Sequence, residues 1–222
     1  MKNNIYPKNY QSVLNLVDTQ RAIKLIKDTF EKELAKELDL MRVSAPLFVE
    51  TGTGLNDNLS GYEKPVSFEV NENNRELEIV QSLAKWKRYA LKKYNIDGLY
   101  TDMNAIRRFE DLDNLHSLYV DQWDWERRLD QKERNVSTLK RTVKKIYKAF
   151  NKTYKVLTKQ YPELTNDLPK DITFITTKDL EARYPSLNRK ERENAICKQY
   201  GAVFLMQIGA NLKDGKPHDS RA

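Results

Sequence analysis

The chain has 222 residues, 39% of them hydrophobic and 32% charged, with a mean hydropathy of −0.78. That composition supports a substantial core in one domain covering residues 1–222, and no apolar run approaches the ~18 residues of a membrane-spanning helix. The opening MKNNIYPKNYQSVL lacks the apolar core of a secretion signal, so a cytoplasmic location is expected, and the single Cys197 rules out an internal disulfide and a cysteine-based structural zinc site.

In chain order, Ile23, Ile26, Phe30 and Leu34 recur at helical spacing and predict a helix over Thr19 to Leu38. LMRVSAPLFVE reads as a strand broken near Pro46, and TGTGLNDNLSG as a loop whose glycines permit close approach to a ligand. Val66, Phe68 and Val70 alternate, as do Leu77 and Ile79 beyond the turn-like NENN, which predicts a hairpin. A helix is expected from about Leu83 to Tyr94, then a strand near Leu99 to Ile106, a charged loop, and a strand over His116 to Glu126. In that last strand the period of two places Gln122, Asp124 and Glu126 on one face and Tyr119, Trp123 and Trp125 on the other.

From Ser137 to Tyr161 the residues Leu139, Val143, Ile146, Phe150, Tyr154 and Leu157 predict the buried stripe of a long helix. Lys140, Lys144, Lys148, Lys152, Lys155 and Lys159 fill its other faces and carry much of the net charge of +7. A solvated face is the preferred reading of these lysines over phosphate-backbone contact, because no aromatic and basic interleaving of an RNA module accompanies them. DITFIT then suggests a strand, Asn188 with Glu191 a capping box ahead of a helix ending near Gly201, and AVFLMQI a buried strand. Successive strands with accompanying helices indicate an α+β domain with a largely antiparallel sheet.

The row Gln122, Asp124, Glu126 beside tryptophans reads as the floor of a polar site, because Gln and Asp together can accept hydrogen bonds from a primary ammonium. Ser82 and Lys87 in QSLAKWKR straddle a strand-to-helix transition. A lysine near that floor would add the complementary grip for the carboxylate of a zwitterion. Arg107 precedes a loop with Glu110, Asp111 and Asp113; its fork suits a phosphate, and carboxylates can accompany the magnesium of a nucleotide. His116 and His218 have no metal-ligand partner at helical spacing and are read as structural. No P-loop, GxGxxG turn or nucleophile elbow is present.

GLNDNLSG, SLAKWKR, the Arg107 loop, HSLYVDQWDWE, GAVFLMQIG and DGKPHDSRA together resemble the ammonia-dependent asparagine synthetases, or aspartate–ammonia ligases. The resemblance implies a class II aminoacyl-tRNA synthetase-like catalytic core, commonly dimeric, that uses ATP and Mg2+ to join aspartate and ammonia through a β-aspartyl-adenylate. It also implies site roles. Arg107, with Glu110 and Ser117 on the ATP side, corresponds to the grip on the α-phosphate; Ser82, Gln122 and Asp124 correspond to the hold on the aspartate amino group. Lys87 would hold the α-carboxylate, and Asp57 would receive ammonium or take a proton from the attacking ammonia. Two departures stand out: Gln81 occupies a place where His is expected, and the C-terminal part expected for the family, with its further nucleotide contacts, does not follow Ala222. A non-catalytic amino-acid-binding paralogue, acting as sensor or partner subunit, is the alternative reading.

Overall fold

A computed structural model describes residues 8–57, 59, 61–71, 75–114, 116–165 and 168–219. In chain order the elements are α1 (Leu16–Leu38), β1 (Met41–Arg42), β2 (Phe48–Glu50), β3 (Ser67–Val70), β4 (Arg75–Ile79), α2 (Ala84–Tyr94), β5 (Gly98–Ile106) and β6 (Tyr119–Arg127). They continue with α3 (Val136–Gln160), β7 (Thr173–Thr176), α4 (Thr177–Arg183), α5 (Arg189–Tyr200) and β8 (Val203–Met206). Contacts group them into two compact units, Met1–Asn15 with Leu38–Leu129 and Leu16–Glu37 with Asp130–Ala222.

The first unit holds two small sheets. β2, β4 and β3 pair antiparallel in the order β2-β4-β3, and the β3–β4 partnership is the expected hairpin; residues 72–74 of its turn lie outside the described residues. The other sheet has the order β1-β5-β6, with β1 parallel and β6 antiparallel to β5. Pro46 separates β1 from β2, as its missing N–H leads one to expect. β5 is buried along nearly its whole length: Leu99, Thr101 and Ala105 have no exposed surface and Met103 only 2%. Leu99, Met103 and Ala105 pack in one cluster with Val43, Val49 and Val80 and with Leu83, Trp86, Ala90 and Leu91 from the start and body of α2. Four of these α2-side residues fall at 83, 86, 90 and 91, the three- and four-residue steps that turn one helical stripe inward. α2 ends at Asn95, whose left-handed φ of 52° lets its N–H close on the carbonyls of Leu91 and Lys92.

The second unit contains α1, apart from its last residue, and α3, α4, α5, β7 and β8. β7 and β8 pair in parallel, so α4 and α5 form the crossover between them. α4 is absent from the sequence reading; its signal is Thr176, whose side chain caps Asp179 N–H. The Asn188–Glu191 capping box of α5 forms as expected, with Asn188 Oδ1 accepting from Glu191 N–H and Glu191 Oε2 from Asn188 N–H. α3 has the expected extent and only part of the expected buried face: Val143 is buried and Ile146, Tyr154 and Leu157 are half-buried. Thr138, Val143, Tyr147, Ala149 and Thr153 are the buried residues, whereas Leu139 and Phe150 are exposed, although Phe150 stacks against Phe30 at 4.8 Å. Small Ala149 and Thr153 face inward, and the Thr153 hydroxyl donates to Ala149 O.

The α3 lysines are partly accounted for by ion pairs. Lys148 reaches Glu37 at 2.9 Å, and Lys152 reaches Glu33 at 2.5 Å and Glu37 at 3.0 Å. Lys140 lies 5.5 Å from the Phe174 ring centroid. Cys197 lies on α5 and is exposed. Among the described residues, no helix is long and apolar enough to cross a membrane.

Candidate active site

β6 begins at Tyr119, so His116 to Leu118 precede the strand rather than open it; His116 is held instead by the Asp113 carboxylate, 2.9 Å from its Nδ1. The expected alternation in β6 stands. Gln122 pairs with Met103, Asp124 with Thr101 and Glu126 with Leu99, so the polar row shares a face with the buried side of β5, the side packed against α2.

Lys87 joins this face from above. It sits within the inward stripe of α2, between Leu83 and Leu91, and is only 4% exposed. Its ammonium donates to Asp124 Oδ1 and to the Trp125 carbonyl at 3.0 Å, with Glu126 Oε2 at 3.8 Å. The side chains of Asp124 and Glu126 keep 26% of their surface exposed, and Gln122 is exposed. The pair is therefore buried on the lysine side and open on the carboxylate side. The open Asp124 carboxylate can receive a ligand's ammonium, and the Lys87 ammonium behind it is the cation that a ligand carboxylate would meet on entering the pair. The spacing 83–87–91 is the sequence signal that would have placed Lys87 inward from the outset.

Ser82 is half-buried, and its hydroxyl accepts from Ala84 N–H at 3.2 Å, just before α2. The loop bearing Asp57 is brought to the same place by two buried amides. Asn56 is 4% exposed; its Nδ2 donates to Ile79 O at 3.0 Å, and its Oδ1 accepts from Gln81 N–H at 2.8 Å and Asp57 N–H at 3.0 Å. Gln81, 1% exposed, donates through Nε2 to the carbonyls of Asp57 and Glu63, both at 3.3 Å. Asp57 is thus tied by its main chain to the residue preceding Ser82. Sequence reasoning singled out Asp57 and noted Gln81 but missed Asn56, whose signal is a buried Asn in a glycine-rich turn.

Arg107 follows β5, and its N–H donates to Leu118 O at 2.8 Å, continuing the β5–β6 ladder by one step. Strand alternation puts it on the face of Met103 and Gln122, four residues and about 13 Å farther along. Its Nε is buried with no hydrogen-bond partner among the described residues. A buried N–H without a partner is an unmet hydrogen bond, and an anion could meet it only where the Arg107 side chain turns outward. Glu110 N–H closes a turn on Arg107 O at 3.1 Å, and Ser117 Oγ accepts from Tyr119 N–H at 3.3 Å, so both lie on the 107–118 connection beside Arg107. Asp113 is engaged by His116, and among the described residues no three His, Cys, Asp or Glu side chains converge as a metal-holding group. His218 is buried and structural, 2.7 Å from Glu193 through Nε2.

Known structures resemble this arrangement in fold. Asparaginyl-tRNA synthetase from Pyrococcus horikoshii, complexed with asparaginyl-adenylate, superposes with a TM-score of 0.60 at 12% identity, covering 83% of this chain and 44% of that one. The Entamoeba histolytica asparaginyl-tRNA synthetase gives 0.56 at 13% identity, covering 87% and 45%. This bears out the expected synthetase-like core. In sequence, aspartate–ammonia ligases are far nearer: that of Clostridium perfringens strain SM101 is 55% identical over 97% of this chain, and that of Fusobacterium nucleatum 57% identical over 96%. The chain spans 66% of the length of each. With residues 17–222 also matching the family model described as aspartate-ammonia ligase, the chain belongs to the aspartate–ammonia ligase family.

Proposed function

We propose that the protein is an ATP-dependent ligase that converts aspartate and ammonia to asparagine, with AMP and pyrophosphate as the other products, and that it works as a cytoplasmic homodimer. The observation that carries this reading is the Lys87–Asp124 pair on the α2–β6 face, buried on the lysine side and open at Asp124, on a sheet whose far end carries Arg107 on the same face. The fold neighbours support the use of an adenylate, since the Pyrococcus horikoshii enzyme holds asparaginyl-adenylate, as does the Entamoeba histolytica enzyme in a second structure.

In this reading the aspartate α-amino group sits on Asp124, Gln122 and Ser82, and the α-carboxylate on Lys87. The β-carboxylate then points along the strands toward Arg107. Its oxygen attacks the α-phosphorus of ATP, forming the acyl phosphate bond as pyrophosphate leaves with the electrons of the broken P–O bond. Arg107 offsets charge that builds on the α-phosphate oxygens, an electrostatic contribution larger in a dry site than in water. Glu110 and Ser117 flank the nucleotide. Mg2+ would arrive on the phosphates of ATP, for which one or two protein carboxylates suffice. Neutral ammonia next attacks the β-acyl carbon, the C–O bond to AMP breaks, and the surplus proton on nitrogen passes to the Asp57 carboxylate.

The test is aspartate-dependent pyrophosphate release from ATP, followed with and without ammonium. Pyrophosphate that requires aspartate, with AMP and asparagine accumulating in equal amounts once ammonium is present, is the expected result. Aspartate binding without any pyrophosphate release would overturn the ligase reading in favour of an amino-acid-binding module.

A further inference from the structure

Gln81 is among the most deeply buried polar residues of the first unit, and its environment is one-sided. Both carbonyls near its amide, those of Asp57 and Glu63, accept from the same Nε2 at 3.3 Å, whereas Oε1 is buried with no hydrogen-bond partner among the described residues. A buried acceptor left unpaired is destabilising. Space filling alone would be served better by methionine, which has nearly the same shape and no unpaired oxygen. The carboxamide is therefore held in place for its two N–H donors.

Those donors span a segment. Asp57 and Glu63 mark the two ends of the stretch that follows Asn56, so one nitrogen closes the base of the loop. Asn56 closes the preceding step from the other side through Ile79 O, Gln81 N–H and Asp57 N–H. Between them the two amides fix the peptide units on both sides of the Asp57 Cα, and with them the direction in which its side chain leaves the main chain. Glycines at Gly52, Gly54 and Gly61, all with positive φ, leave the flanking backbone little stiffness of its own.

We propose that Gln81 is a positioning residue that latches the Asp57–Glu63 loop through the two N–H groups of its side-chain amide, and so sets the placement of Asp57. The latch itself stands on the geometry; its consequence for the ammonia step rests on the function proposed above.

The latch scales with the number of donors at position 81: two for Gln, one for a neutral His, none for Met. Hydrogen exchange in the wild-type chain and in Gln81→His and Gln81→Met at pH 8 should therefore show graded local opening of the loop amides. Relative to β5 amides, opening should rise about five- to tenfold for Met, with His between Met and wild type. Global stability to urea should change less than loop opening in Gln81→Met, because losing the unpaired Oε1 offsets part of the cost of taking the donor from the Asp57 and Glu63 carbonyls. Loop opening and global stability thus move to different extents, which loss of simple packing does not produce. Equal loss of protection in loop and β5, or loop protection in Gln81→Met equal to wild type, would refute the latch. Should Gln81→Met fail to fold, Gln81→His against wild type carries the same comparison. With the latch confirmed by exchange, a raised KM for ammonium at unchanged KM for ATP extends it to Asp57. Loop opening with every kinetic constant unchanged would refute the part of the proposal in which the latch sets the placement of Asp57.

Discussion

Replacing Lys87 by Met separates the two tasks assigned to this lysine. Methionine keeps the length and most of the volume of the stem, so no sizeable cavity opens beneath α2. What is lost is the ammonium: one charged bond to Asp124, one to Trp125 O at 3.0 Å, and the weaker attraction to Glu126 at 3.8 Å. Breaking a fully buried pair costs about 3–5 kcal/mol and an exposed one about 0–1 kcal/mol. Here the lysine side chain is 5% exposed but its carboxylate partners 26%, so water reaches the charge that is left behind. The expected loss is therefore intermediate, about 2 kcal/mol, or a fall in Tm of about 4–8 °C for a chain of this size. For the substrate the change is sharper. The α-carboxylate loses its cation and meets Asp124 without compensation, which should raise the aspartate KM about 10- to 100-fold, the worth of one charge-assisted bond, and leave the ATP KM within about threefold. Pyrophosphate release at varied aspartate and varied ATP reads both constants, and the aspartate-induced rise in Tm reads binding without turnover. A folded Lys87→Met variant with wild-type aspartate KM would refute the carboxylate grip; a variant as stable as the wild type would refute the reading of the pair as a structural contact.

Two further perturbations test the packing of each unit. At Gly98, where β5 starts beside β1, an added Cβ would lie 2.9 Å from the Asp39 carbonyl oxygen and 2.9 Å from Leu40 Cδ2; Gly98→Ala should therefore destabilise the first unit by about 1–3 kcal/mol in urea unfolding, and a neutral effect would mean that β1 yields easily. In the second unit, hydrogen bonds from Lys148 and then Lys152 hold the Glu37 carboxyl below the usual glutamate range. A carboxyl depressed by folding contributes stability that is complete above the ordinary glutamate pKa and is lost as pH falls through the lowered value. Urea midpoints should accordingly drop more steeply in acid for the wild type than for Glu37→Gln, and parallel acid limbs would show that the pair adds nothing.

Features that depend on short-range periodicity and local chemistry were legible in the chain before any fold was known. The parity of β6 follows from alternation alone, so Gln122, Asp124 and Glu126 share a face wherever the strand is placed. The α5 capping box needs only residues three apart, and the β3–β4 hairpin only neighbouring strands. Contacts between distant segments settled the rest. Which face of α3 turns inward depends on its neighbours, and small Ala149 and Thr153 won over Leu139 and Phe150 because close packing rewards fit as well as apolarity. Lys87 could be singled out within SLAKWKR, but its partner Asp124, 37 residues on, was set only when α2 settled on β5 and β6. The tie between Asn56, Asp57, Glu63 and Gln81 joins residues 18 to 25 positions apart, a distance over which no periodicity speaks. Chemistry could be assigned from residue types; the pairing of those types, and the burial that gives the pairing its strength, came only with the fold.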